Sequence, residues 1–502
     1  MRTSLALLAT TVALVASACG GSSESTSGGT ATAVGAASAA PASAALFLEL
    51  NADLDSTQWQ QVKGLADDIR AGKGLFKDFF DQAAKGADWA AVDAAFGPVL
   101  AIVVLEDGET AVVLTKPDDV EKLKSLLGEK GTSAVAREVG DWTAVAQKAA
   151  DLDAYEQALG KGTLADDEAF AAAMADLPPE VIVRVYTGGE GLGKALSTAA
   201  GEAGAADAAG GALGGLGIDP SALSALGGAG ALTSLAATVE ASDGALVVKG
   251  SLEGSEEAGA PYTPMFLEKI PGGVIAAAGW HGSADLLSQL RSNAGLADTV
   301  AQLETALGVT LDQLGPLLAG EGALYVRPGL ALPEITVVLE VADGPAALAT
   351  LDGIAKRLGG LTEGTTSDTT VDGVPAKVLD LGIAKLTYAA VDGLLIATTS
   401  PTGITAFRDA GGDKLADDPL FAEAAGKAEL GATTSGFVFA DVAKVGELLG
   451  GLGGVLSGAL GGESGGSGSL VPAEGFDGFG TLFAHATAEG KTVRFAAVLT
   501  IT

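Results

Sequence analysis

The sequence is poor in the side chains that carry most protein chemistry. It holds one cysteine, two histidines and three methionines in 502 residues. A single thiol excludes an intramolecular disulfide and any multi-thiolate metal site. The two histidines are His281, at a strand end in Trp280-His281-Gly282, and His485, inside the last hairpin pattern. No carboxylate spacing around either resembles a metal set, so both are expected in structural or surface roles. Basic residues are scarce as well. Lys and Arg number 29 against 63 Asp and Glu, for a net charge of −34. Such a chain has no basic stripe to neutralise phosphates, which excludes nucleic acid as a partner. No uninterrupted apolar run reaches the length that a bilayer-spanning helix requires.

What is present begins at the N-terminus. Residues 1–18 read as a signal peptide: Arg2 gives the positive n-region, Leu5 to Val15 the apolar core, and Ala16-Ser17-Ala18 the small-residue cleavage region. Ala16-Ser17-Ala18-Cys19 resembles the lipobox of bacterial lipoproteins, so Cys19 is the expected lipidation site. Two or more acyl chains there would make a stable anchor. Residues 19–44 are then the lipidated cysteine and a flexible tether. From Gly20 to Ala44 the stretch is rich in Gly, Ser, Thr and Ala with no apolar period, and its coil reach is about 25–30 Å.

The remainder repeats itself. Leu164-Ala165-Asp166-Asp167 with Phe170-Ala171 returns 251 residues later as Leu415-Ala416-Asp417-Asp418 with Phe421-Ala422. Around each copy lies the same succession: an opening strand, a helix, hairpins with tight Asp-Gly turns, a short helix, a strand and a closing hairpin. The expected organisation is an α+β fold of two tandem related modules, residues 45–256 and 270–502. Each would be a mainly antiparallel sheet with packed helices. The turns Asp372-Gly373 and Asp392-Gly393 extend the second module by one hairpin. In equivalent places lie two Gly/Ala/Leu-rich segments, Ser197 to Gly230 and Val445 to Gly468. They read either as loose connectors or as mobile flaps over an apolar pocket.

Pro41-Ala42-Ser43-Ala44-Ala45-Leu46-Phe47-Leu48, the run Ala111-Val112-Val113-Leu114-Thr115-Lys116 into an acid-capped helix, and the Leu164 stretch before Leu177-Pro178 carry a family resemblance. On them the chain resembles bacterial envelope proteins of domain of unknown function 3352 over most of residues 41–500. That resemblance implies no catalytic residue.

Candidate chemistry is thin. Gly188-Gly189-Glu190-Gly191-Leu192-Gly193-Lys194 fits the pattern of a phosphate-binding loop, but residue 195 is Ala where a Mg²⁺-ligating hydroxyl is needed. Gly462-Glu463-Ser464-Gly465-Gly466 fits a nucleophile elbow but sits in a Gly/Ser tract without a strand before it. The acid pairs Asp53/Asp55, Asp67/Asp68, Asp118/Asp119, Asp166/Asp167 and Asp417/Asp418 read as helix caps, Asp418 before Pro419 most plainly. No catalytic, cofactor-binding or metal residue is expected, and no cofactor. The expectation is a non-enzymatic, acidic lipoprotein of the cell envelope, extracytoplasmic and lipid-anchored to the cell membrane. It would bind or scaffold an apolar, lipid-like ligand or an envelope protein. The alternative is a carboxylate-dependent extracytoplasmic hydrolase.

Overall fold

The computed structural model describes residues 35–71, 96–129, 134–188, 232–255, 258–282, 301–302, 304–305, 308–329, 332–362, 364–382, 384–400, 402–409, 412–448 and 478–502. The protein mixes helices with a large antiparallel sheet. Two separate sheets were expected. The strand pairings instead form a single eighteen-stranded set. The chain divides into two compact units, Met1–Gly259 with Glu489–Ala496 and Thr500–Thr502, and Ala260–Ala488 with Ala497–Leu499.

In the first unit the elements run β1 (Leu46–Asn51), α1 (Thr57–Ala71), β2 (Val99–Val104), β3 (Ala111–Thr115), α2 (Val120–Glu129), β4 (Val135–Val139), β5 (Trp142–Ala146), α3 (Ala149–Leu159), α4 (Glu168–Met174), β6 (Val183–Gly188), β7 (Leu232–Ser242) and β8 (Ala245–Gly254). Antiparallel pairing gives the strand order 4-5-3-2-1-6-7-8. One core cluster lies on one face, where Phe47, Trp142, Leu152, Tyr155, Leu164, Phe170 and Tyr186 pack.

The second unit runs β9 (Ala276–His281), α5 (Leu311–Leu318), β10 (Glu321–Arg327), β11 (Glu334–Glu340), α6 (Gly344–Thr362), β12 (Thr365–Val371), β13 (Val374–Asp380), β14 (Lys385–Val391), β15 (Leu394–Thr398), α7 (Gly403–Arg408), α8 (Pro419–Lys427), β16 (Gly436–Asp441) and β17 (Phe479–Glu489). Its order is 12-13-14-15-11-10-9-16-17. The division between units falls within the last hairpin, β17 and β18 (Thr492–Ile501). From β14 to β17 the order matches 4-5-3-2-1-6-7 of the first unit, with the hairpin β12–β13 added outside. Asp372, Gly373, Asp392 and Gly393 all adopt positive φ, as the two-residue hairpin turn requires.

Each repeated Leu-Ala-Asp-Asp forms a 3-10 turn and then caps a helix. Asp167 accepts the Phe170 N–H at 2.8 Å, and Asp418 accepts the Leu420 N–H at 2.9 Å and the Phe421 N–H at 3.4 Å. Just before it, the chain ties down the entry to the opening strand. The Leu164 N–H donates to Ala40 O, and the Leu415 N–H to Ile270 O. Behind the caps, Phe170 stands edge-on to Phe47 and Tyr186, and Phe421 edge-on to Phe439 and Phe483.

The tether was expected to extend to Ala44. Here Ala36–Ala39 form a 3-10 turn, and Ala36, Ala37, Ala39, Ala40 and Ala44 belong to the first core. Small side chains without a helical period can still pack where backbone must pass close to a sheet. The matching turn in the second unit is Met265–Glu268. That unit therefore begins near Ala260 rather than at 270. Residues 1–34, with the signal peptide and Cys19, lie outside the described residues.

Candidate functional site

Most of the acid pairs singled out above work on the backbone. Asp53 accepts the Asp55 N–H, Asp119 caps α2 through the Glu121 and Lys122 N–H groups, and Asp166 accepts the Thr163 hydroxyl. Asp67 and Asp68 fall within α1. Among the described residues no three His, Cys, Asp or Glu side chains stand together as a metal set. The histidines take separate partners. His281 lies against the Tyr262 ring, centroids 5.2 Å apart. His485 Nε2 is 2.9 Å from Ala428 O, an atom that can only accept, so Nε2 carries the proton in that bond. The phosphate-loop pattern after Gly188, the elbow pattern at Ser464 and the segment 197–230 lie outside the described residues. So does the segment 445–468 beyond residue 448.

Two carboxylates, Glu49 half-buried and Glu321 buried, have no counterpart in any sequence motif. Glu49, on β1, accepts the Ala36 N–H at 3.0 Å and pairs with Arg184 on β6 at 2.6 Å. Glu321, on β10, accepts the Phe266 N–H at 2.7 Å. Each holds the 3-10 turn that precedes its unit's opening strand. Burial pushes the Glu321 carboxyl above the usual carboxylate range, while the Phe266 N–H pulls it back. These acids serve structure.

The other face of the second unit's sheet is the site that remains. Register places Leu324, Ala278, Val438 and Ala484 in one cross-strand row on β10, β9, β16 and β17. Val326, Ala276, Ala440 and Leu482 form the next row. Trp280 closes one end, its ring over Gly322 where a Cβ would meet it at 2.3 Å. No side chain in these rows is charged. Ala276 and Ala278 on β9 stand between the larger Leu324 and Val326 on β10 and Val438 on β16.

In the first unit the same positions are covered. Val185 and Leu235, which occupy the places of Val438 and Leu482 in the strand register, are 4% and 1% exposed. They pack with Leu252, Leu46, Leu48, Val493 and Phe495. Beside them Leu100 and Ile102 are buried with Leu123 of α2. Val438 and Leu482 are 49% and 41% exposed. Alternation along the strands says which residues share this face. It could not say that one copy would be covered and the other open.

No family model matches this chain, and no curated protein matches it. A solved structure described as "Structure of crystal form I of TP0453" is similar over 43% of this chain and 77% of that one, at 7% identity and a TM-score of 0.24, a likeness too low to bear on fold or function.

Proposed function

We propose that this protein is an exported, non-catalytic lipoprotein anchored to the outside of the cell membrane through Cys19, with a sheet face that holds a lipid-like molecule. Membership of the envelope proteins of domain of unknown function 3352 is part of this reading. So is an origin by internal duplication into two related modules. The strand order shared by the two units supports the duplication. The observation that carries the binding role is the uncharged face of β10, β9, β16 and β17, with Val438 and Leu482 turned outward. Exposed apolar patches of this kind mark binding surfaces on soluble domains. Charge selects the occupant. At a net charge of −34 the chain repels a second copy of itself, nucleic acid and anionic headgroups alike. What the face accepts is an uncharged hydrocarbon chain, and the anchor keeps it beside a membrane that supplies one.

Two experiments test the reading. Cys19→Ser should abolish incorporation of a fatty-acid analogue; label retained on the serine variant contradicts the anchor. For the face, residues 35–502 are purified without the anchor and examined by native mass spectrometry after exposure to neutral phosphatidylcholine vesicles. Bound lipid is expected in the wild-type chain and loss of at least tenfold in Val438→Glu. Equal occupancy of both proteins, or none in either, contradicts the binding role.

A further inference from the structure

Glu321 is 3% exposed, and among the described residues no cation pairs with it. Its surroundings add to the burden. Glu340, across on β11, accepts the Glu321 N–H at 3.2 Å and brings a second negative charge. Lys269, at the end of the 3-10 turn, acts only at a distance. His281 is its cross-strand neighbour on β9, and Tyr262 lies before the turn with a buried hydroxyl that finds no partner among the described residues. Glu321 nevertheless holds that turn closed through the Phe266 N–H, and the buried Phe266 ring packs edge-on against Phe407, 5.4 Å away. In the first unit, Glu49 holds the matching turn with its charge balanced by Arg184.

We propose that Glu321 makes the strap from Tyr262 to Lys269 a protonation-dependent latch, closed while the carboxyl is neutral and loosened as it ionises. Linkage fixes the sign. The carboxyl's pKa is raised in the folded chain, so its contribution to closure is fully present below the ordinary Glu value of about 4.3 and is lost as pH rises through the folded value. Opening lets the ionised carboxylate reach water, which relieves the cost of burying an unpaired charge. In the first unit the carboxylate at the matching place is ion-paired with Arg184.

Hydrogen exchange, corrected for intrinsic rates and followed from pH 4 to 8, tests this on the chain from residue 35. Protection of residues 264–270 should fall by about tenfold across the range for each pKa unit of displacement, while that of 36–45 stays level. Glu321→Gln keeps an acceptor for Phe266 without the charge and should abolish the fall. Glu340→Gln removes the neighbouring like charge and should move the fall to lower pH. Level protection of 264–270 in the wild-type chain overturns the latch, as does a fall that persists unchanged in Glu321→Gln. Should Glu321→Gln not fold, an unmoved fall in Glu340→Gln overturns it.

Discussion

One register position shows how differently the two units solve the same problem. In the first unit a half-buried Glu49 on β1 is ion-paired with the buried Arg184 opposite it on β6. In the second, Gly279 on β9 stands opposite Phe437 on β16, and the Phe437 ring fills the space where a Cβ would meet it at 2.3 Å. A row in the core behaves likewise. Phe47, Tyr186 and Ala236 lie side by side in one unit, and Ala277, Phe439 and Phe483 in the other. The large ring changes sides while the total volume is roughly conserved, as a close-packed interior tolerates best. Backbone pairing is thus the part held in common. The means of filling it is free to change, and so is the fate of the opposite face.

The ion pair should give the largest effect. Arg184→Met strands a half-buried carboxylate and should cost up to about 3–5 kcal/mol in a denaturant melt. The double variant Glu49→Gly/Arg184→Phe copies the second unit and should recover most of that. What remains is about 1–3 kcal/mol for the Ala36 N–H left without its acceptor. No recovery would mean that the two arrangements are not interchangeable. Phe421→Ala empties the centre of three phenylalanine contacts and should cost about 3–5 kcal/mol. Phe170→Ala should match it within about 1 kcal/mol if the two cores are equivalent. Gly279→Ala drives a methyl into the Phe437 ring and should cost about 1–3 kcal/mol, measured by thermal unfolding. Asp418→Ala and Asp167→Ala remove single caps, for about 0.5–2 kcal/mol each, with lipid occupancy unchanged.

Local features were legible in the sequence because their causes are local. Asp-Gly turns announced the hairpins, including the extra one at Asp372-Gly373, and the paired Asp167 and Asp418 announced the caps. Strand order was not legible, since it depends on pairings such as Glu49 with Arg184, 135 residues apart. The alanine turn at 36–39 looked like tether because alanine and serine carry no period. The open face was hidden for a different reason. Alternation in Val438-Phe439-Ala440 assigns each side chain to a face but carries no information about what lies over that face. The buried Glu321 likewise had no motif to mark it.

The most direct test of the central claim is photocrosslinking with a diazirine-bearing long-chain hydrocarbon, followed by peptide mapping of the chain from residue 35. Label is predicted on residues 276–280, 324–326, 436–440 and 480–486, at least fivefold above residues 46–50 and 183–188 of the first unit. Val438→Glu should remove it. Equal labelling of the two units, or labelling unmoved by Val438→Glu, would contradict a lipid-binding face built from the second unit alone.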